Sequence, residues 1–589
     1  MSGRMLIYGD LKRRERADDL CQAIAARLHA IECRPAGLER HAALVGILIA
    51  LGELAQGLAD FEFEGRGADD LSPMHRAAAG ILLDAARLVS QSWKRGFAGD
   101  MRIPKRAFAR LRQMEHPLTL SIREPEGYAF YAVYPESYIE AARRSGLGKS
   151  TSVIGIRSIG TSLSAAVSAA IGAATPATVR PTGHPFRRQI AIGAQLRQQF
   201  LRDTITDFAI VDEGPGLSGS SFGSMADWLE EHATGERHIH FFPGHKGDLG
   251  PEACGRHRDR WATSPRHVVG MDELLLETAN PRHQLASWVS DLVGPLVRPI
   301  EDFSGGAWRR AFPGGCNGWP PADHRFERRK FLAHTGDGAW LVKFAGLGDI
   351  GEGKLVRARI LAEAGFTPPV AGLRYGFLVQ KWVPAPIVAE GFERAEFISH
   401  LGRYLAFRAR CLPPPAAAGA SLSKLSGMAL ANTEEGLGAA AVRGLKRCIA
   451  DAWRYESLIV PVDTDNRLHA WEWLAAGEHR FLKTDAVDHS AGHDLVGAQD
   501  MAWDIAGAVI EFGLSPREAA TLRAAIADGC NRAVSTELQA IFEIFYLAFQ
   551  LGLWTSARQL APAVEIPRLE AAASRYAMLL RQRITGSGG

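Results

Sequence analysis

The chain is expected to fold as a multidomain α/β protein: a helical N-terminal region, a parallel-sheet domain, and a second, α+β domain. Three observations predict this. Residues 11 to about 97 place apolar side chains such as Leu20, Ile24, Leu28 and Ile31 at three- and four-residue spacing, the mark of amphipathic helices. Residues 105 to about 290 alternate short apolar runs with helical patterns. From Arg328 the pattern becomes strand, turn, strand around Thr335-Gly336-Asp337-Gly338, a hairpin signal, and it ends in helices over 517–584. At 589 residues the chain is too long for one core.

Composition sets limits on function. Hydrophobic residues make up 47% and charged residues 23%, as in globular proteins. The net charge of +3 gives no reason to invoke nucleic acid or an anionic membrane. Seven scattered cysteines, at 21, 33, 254, 316, 411, 448 and 530, form no CxxC pair, which argues for a reducing cytoplasm and against a zinc site. No secretory signal is visible at the N-terminus. The apolar stretch 42–54 is shorter than a bilayer span and carries Glu53. A cytoplasmic protein without a membrane segment is expected.

Residues 1–104 read as a helical cap. Glu53, Asp60, Glu62 and Glu64 follow one another closely and read either as solvated helix-end charges or as a metal cluster. A homo-oligomer built through such a cap is compatible with the sequence.

Residues 105–300 form the expected parallel-sheet domain. Within it, the apolar run Phe208-Ala209-Ile210-Val211 ends in Asp212-Glu213, and Gly214-Pro215-Gly216-Leu217-Ser218-Gly219-Ser220-Ser221 leads into a helical pattern. Open α/β sheets bind ligands at the carboxyl ends of their strands, where this pair sits. A Ser/Gly turn at a helix N-terminus suits a phosphate. Carboxylates for sugar hydroxyls beside a phosphate nest describe a phosphoribosyl site; taken alone, the Asp-Glu pair also reads as a solvated turn.

These residues resemble the signature of type I phosphoribosyltransferases, with a spacer about one residue longer than usual. The resemblance implies that Asp212 and Glu213 hold the ribose of PRPP and that Ser218, Gly219, Ser220 and Ser221 hold its 5′-phosphate. A second strand pattern runs into Arg157-Ser158-Ile159-Gly160. In the family such a loop holds pyrophosphate, so Arg157, Ser158 and Gly160 are implied there, with Mg²⁺ bridging. The basic interval 178–188 matches the family's mobile lid, with Arg180, His184, Arg187 and Arg188 facing the diphosphate; Arg187-Arg188 also reads as a solvated pair. Residues 126–135 read as a strand with an aromatic face, similar to the opening strand of the phosphoribosyltransferases in bacterial stress and tellurium-resistance gene sets. His238, His240 and His245 read as metal ligands or as a final strand and acceptor-binding loop, to which Asp248 belongs.

Residues 301–325, rich in Gly, Pro and Trp, are expected to be a linker, and 326–589 a second domain. Pro413-Pro414-Pro415 marks a loop within it. Its order of elements, with Lys343 on the second hairpin strand, resembles the aminoglycoside-phosphotransferase and choline-kinase-like small-molecule kinases. The resemblance implies that Lys343 pairs with ATP phosphates and a helix Glu, Glu352 first and Glu363 second. The family carries a catalytic Asp five residues before a metal-binding Asn. Here Pro461 stands five residues before Asn466, leaving Asp463 or Asp465 for the chemistry. Asn466 and Asp485 are the implied metal ligands, and Asp500 to Asp504 the start of an apolar helix.

The expected function is that of a bifunctional small-molecule transferase: Mg²⁺-dependent transfer of ribose 5-phosphate between PRPP and a nucleobase-like acceptor, with an ATP-binding kinase-like module acting on a related metabolite. The alternative is a non-catalytic PRPP or nucleotide sensor that regulates a partner protein.

Overall fold

The computed structural model describes residues 6–9, 12–114, 116–233, 237–311, 318–324, 327–387, 394–414, 418–477, 479–489, 494–559 and 561–586. Cys316, residues 313–315 of the expected linker and Pro415 lie outside them. The other six cysteines are free thiols.

Strands β1 (Lys12–Arg16) and β2 (Thr119–Arg123) pair antiparallel and bracket four helices, α1 (Ala17–Glu32), α2 (Leu38–Arg66), α3 (Pro73–Lys94) and α4 (Lys105–Met114). α1 buries Cys21, Ile24, Leu28 and Ile31, the face its spacing predicts. Ser72 caps α3 by accepting from His75 N–H, and Pro73 occupies its first turn. α2 is longer than the apolar stretch 42–54 suggested. By length and composition it could cross a membrane, but 72% of its most apolar window is buried inside the protein.

The next elements are α5 (Glu126–Phe130), α6 (Pro135–Arg144), β3 (Thr151–Ile156), α7 (Gly160–Ile171), β4 (Ala177–Val179), β5 (Thr182–His184), β6 (Arg187–Gln189), α8 (Ala194–Phe200), β7 (Asp207–Val211), α9 (Ser220–His232), β8 (His238–Phe242), α10 (Gly255–Thr263), α11 (Met271–Leu275) and α12 (Leu285–Val293). β4-β3-β7-β8 form a four-stranded parallel sheet. Because the connections leave β3 on one side and return to β7 on the other, the switch point lies between these two central strands. Residues 126–135 are not the strand expected. Pro125 C=O accepts from Tyr128 N–H and Ala129 N–H, which closes α5, and Tyr128, Phe130 and Tyr134 are buried by helical turns instead of a strand face.

The second half begins with an antiparallel sheet in the order β12-β13-β11-β10-β9, made of β9 (Glu301–Asp302), β10 (Lys330–Thr335), β11 (Gly338–Phe344), β12 (Val370–Arg374) and β13 (Phe377–Lys381), with α13 (Gly348–Glu363) inserted after β11. Thus 301–302, expected within the linker, form an edge strand on β10. Nearby Arg309 is buried against Glu565, at 2.7 and 2.9 Å. Then follow α14 (Arg394–Cys411), α15 (Leu422–Leu437), α16 (Ala439–Cys448), the β14 (Trp473–Ala475) and β15 (Phe481–Lys483) hairpin, α17 (Met501–Phe512), α18 (Pro516–Cys530), α19 (Thr536–Arg558) and α20 (Ile566–Gly586). α19 also meets membrane length and composition, with 83% of its apolar window buried.

The core does not stop at the expected linker. One apolar cluster runs from Leu48 of α2 through Tyr134 and Val211 to Phe331, Phe344 and Phe377 of the antiparallel sheet. Tyr134 donates to Tyr375 C=O at 2.9 Å, and Tyr375 donates to Glu136 at 2.8 Å. The N-terminal strap 6–9 lies on the second half: Leu6 N–H donates to Asn432 Oδ1, and Leu495 N–H to Ile7 C=O.

A buried ion cluster locks the helical region to the parallel sheet. Arg157 donates to Asp60 at 2.9 Å and to Asp69, and Arg180 donates through Nε to Asp60 and through its backbone N–H to Asp69. Asp60 is therefore neither a solvated end charge nor a metal ligand; Glu53 pairs with Arg13, and Glu62 accepts from Ser72. Removing one member of a buried ion pair strands the other. Arg157→Ala is expected to cost about 3–5 kcal/mol in urea unfolding, whereas exposed Arg187→Ala should stay within about 0.5 kcal/mol.

Candidate functional site

The residues predicted to bind a phosphoribosyl group flank the sheet's switch point. Asp212 and Glu213 follow β7, and the loop of Arg157, Ser158 and Gly160 follows β3. Their details differ from expectation. The Arg157 side chain is about 1% exposed and consumed by Asp60 and Asp69, so it is a structural cation and not a diphosphate ligand. Ser158 C=O accepts from Thr161 N–H, opening α7. Gly160 is needed for packing, since a Cβ there would sit 2.6 Å from Val211 C=O.

The Ser/Gly turn does start a helix. Gly219 takes the left-handed conformation (φ 60°) just before α9. Yet Ser220 Oγ donates to Pro185 C=O at 2.8 Å, and Ser218 Oγ bonds with Ser220 Oγ. Pro185 is the tip of the β5–β6 hairpin, the expected lid, so the lid rests on the cradle and holds its hydroxyls. Ser221 lies in the first turn of α9, while His184 and Arg187 point to solvent from the hairpin. Arg180 belongs to the Asp60 cluster and Arg188 donates to Gly183 C=O.

Asp212 Oδ1 accepts from Glu213 N–H, and Tyr138 OH donates to Asp212 C=O. Both residues are half-buried. Burial pushes Asp212 up to about 7, with Glu213 N–H and Arg180 pulling back. Glu213 is raised well above 4.5, first by burial and then by the neighbouring Asp212. Its Oε2 is buried without a hydrogen-bond partner. Of the histidines, His240 bonds with His267 at 3.0 Å and approaches Asp207, which is sheet packing rather than ligation; His238 and His245 are exposed.

A cavity of about 600 Å³ lies in the second half between the antiparallel sheet and the helices. Trp382 and Pro368 line one side, and Trp471 and Trp554 another. One end is ionic. Lys343 of β11 donates to Asp485 and contacts Asp488, and Lys354 of α13 donates to Asp488 at 2.6 Å. Burial alone would raise Asp488; Lys343, Lys354 and Arg328 overcome it and hold the group well below 3.8. Burial opposes the charge of Lys343, but Asp485 and Asp488 more than offset it. Glu352 is exposed on α13 and does not reach Lys343, because Asp488 fills that place; Glu363 ends the same helix.

The two carboxylates expected to do the chemistry are locked away. Asp463 accepts from Arg408 and, at 2.6 Å, from Arg357. Asp465 accepts from Tyr404. Both are buried and neither lines the cavity. Asn466 does not line the cavity either: its Nδ2 donates to Gly497 C=O at 2.8 Å and to His489 C=O, and its Oδ1 is buried without a hydrogen-bond partner. Asp504 accepts from the backbone N–H groups of Asp465 and Asn466, at 2.7 and 2.9 Å, and so fixes this loop.

The loop delivers Arg467 and Glu472 to the cavity instead. Arg467 pairs with Asp494 at 3.0 Å, and Glu472, just before β14, accepts from Lys483 at 2.6 Å. Glu472, Asp485 and His489 bring one ligand atom each within 4.8 Å of one another. Asp488 and His489 carried no signal beyond nearness to Asp485, and Tyr8, which also lines the cavity, carried none.

No family model and no curated protein matches the sequence. By structure the chain is similar to choline kinase LicA from Streptococcus pneumoniae, at 15% identity over 49% of this chain and 96% of that one, TM-score 0.31. It is similar also to spectinomycin phosphotransferase APH(9)-Ia in complex with ADP and spectinomycin (11%, 44% and 90%, TM-score 0.32). A Plasmodium vivax ethanolamine kinase gives 12% identity, 51% and 88%, and TM-score 0.31. These scores are too low to carry a residue's role from one protein to another.

The raised Asp212 has a pH consequence. Between its ordinary 3.8 and about 7 the folded chain holds a proton that the unfolded chain has released, so stability falls as pH rises through this window. Asp212→Asn removes the penalty. In urea titrations its advantage over the natural chain should be small near pH 4 and reach about 4 kcal/mol near pH 8. A pH-independent difference would contradict the burial argument.

Proposed function

We propose that the cavity of the second half binds a nucleoside polyphosphate with a divalent ion and that this module is a phosphotransferase toward a small molecule. The reading is carried by one observation: Lys343, Asp485, Asp488, Glu472 and Arg467 converge in a cavity that Trp382, Trp471, Trp554 and Pro368 also line. Aromatic side chains suit a base, and the ionic end suits phosphates and their counter-ion. Phosphoryl transfer depends mostly on positioning and electrostatic stabilisation. Lys343 and Arg467 would supply positive charge to the transferred group, without a carboxylate base from Asp463 or Asp465. ATP is the donor that the sequence resemblance implies.

In the same proposal PRPP binds at the switch point of the parallel sheet. The partnerless Glu213 Oε2, the adjoining Asp212 and the helix start at Ser220 support it. The lid hairpin would leave the Ser218–Ser220 hydroxyls to admit a phosphate. Ribose transfer to a nucleobase-like acceptor follows from the resemblance.

A sensor reading, with ligand binding but no turnover, is favoured by the burial of Asp463 and Asp465 in ion pairs. Phosphorus NMR separates the two. A phosphotransferase consumes ATP when pooled small-molecule acceptors are present, and a sensor leaves ATP intact while calorimetry shows saturable binding. Lys343→Ala should weaken ATP binding about tenfold or more, roughly 1.4 kcal/mol. Undiminished binding would remove the cavity from consideration. Pyrophosphate release from PRPP that disappears in Asp212→Asn would support the transferase at the other site, and no binding of PRPP would refute it.

A further inference from the structure

The ion expected beside the nucleotide is Mg²⁺, which takes near-ideal octahedral oxygen sets and binds few protein ligands. The residues at the cavity do not match that preference. Asn466, the expected oxygen donor, does not line the cavity. The groups that converge with Asp485 are a second carboxylate, Glu472, and an imidazole, His489.

His489 is about 9% exposed, and its Nε2 has no hydrogen-bond partner. That nitrogen lies 3.7 Å from Asp485 Oδ2, inside the span of the three ligand atoms. A buried imidazole nitrogen facing two carboxylates without a hydrogen bond calls for an electrophile. The second carboxylate oxygens are already committed: Asp485 Oδ1 to Lys343 and Glu472 Oε2 to Lys483. These lysines fix the orientation of the ligand carboxylates, as outer partners do in metal sites.

We propose that Glu472, Asp485 and His489 form a protein-held site for one first-row divalent transition ion, of the Mn²⁺, Co²⁺ or Zn²⁺ kind, in preference to Mg²⁺. Imidazole suits these ions, while Mg²⁺ prefers oxygen and water. Three protein ligands leave coordination positions for water or for phosphate oxygens. The inference deepens the nucleotide reading and rests on it only for what the ion does. Its binding needs no nucleotide.

The test is titration of the full-length chain with Co²⁺, followed by visible absorption, with Mg²⁺ as competitor and no nucleotide present. One Co²⁺ should bind per chain, and Mg²⁺ should displace it only at concentrations about tenfold or more above those of Co²⁺. His489→Ala, checked for folding by circular dichroism, should lose about tenfold or more in Co²⁺ affinity. X-ray absorption of the natural chain loaded with Co²⁺ should show the outer-shell scattering of an imidazole, a reading that does not depend on the variant. Equal competition by Mg²⁺, an unchanged affinity in a folded His489→Ala, or no imidazole scattering would overturn the proposal. If Co²⁺ binds as expected but ATP does not bind under any condition, the metal site stands and the nucleotide reading falls. ATP binding with Mg²⁺ alone and no Co²⁺ site gives the reverse.

Discussion

Asp488 is the point on which the second half is organised. It is buried, and it lies between Lys343 from the antiparallel sheet and Lys354 from the following helix. Burial penalises the charge of that carboxylate and of both lysines, and their pairing offsets the penalty. The triad fixes the distance between sheet and helix and brings Asp485, three residues earlier, up to Lys343. Everything at the ionic end of the cavity inherits its position from this arrangement. It also explains why the exposed Glu352 has no part in it: the acid that neutralises Lys343 comes from the loop after β15, not from α13.

The two candidate sites are joined by a short wall. Gly127 of α5 packs directly against the Glu213 carboxylate. Three residues on, Phe130 receives the cations of Arg328 and Lys354 on its ring at 4.5 and 5.7 Å, and its C=O accepts from Arg328. Leu347 N–H donates to Tyr128 C=O, continuing the contact into the start of α13. A single turn of helix thus touches the acidic pair of the parallel sheet on one side and the Lys354–Asp488 pair on the other. The continuous apolar core from α2 to β13 gives this wall a rigid backing.

Arginine and aspartate side chains misled the sequence reading for one reason. Arg157, Asp463 and Asp465 have the chemistry of ligands or catalysts, but each meets an opposite charge contributed by a segment distant in sequence: Asp60 and Asp69 for Arg157, Arg408 and Arg357 for Asp463. Asp465 lies 3.8 Å from Arg408 and 3.6 Å from Lys483 and also accepts from the distant Tyr404. Once paired out of solvent, such groups support the fold. A pattern within a few residues cannot reveal a partner about a hundred residues away. The same limit hid Tyr8, which reaches the cavity because the N-terminal strap hydrogen-bonds to Asn432 and Leu495.

What the sequence determined by itself is what local physics decides. Apolar runs bounded by turn residues set β3 and β7, alternation of such runs with helical patterns set the parallel sheet, and Thr335-Gly336-Asp337-Gly338 set the β10–β11 turn that places Lys343. It also put Asp212-Glu213 at a strand's carboxyl end and the Ser/Gly turn at the start of α9. Tertiary structure alone decided which acids face the cavity, which arginines are consumed in ion pairs, and that 301–302 join a sheet. The helical turn of 126–130 was likewise beyond the pattern, since aromatic residues there are buried by packing against both halves. Local periodicity is encoded over a few residues, whereas burial and charge pairing depend on segments that only the folded chain brings together.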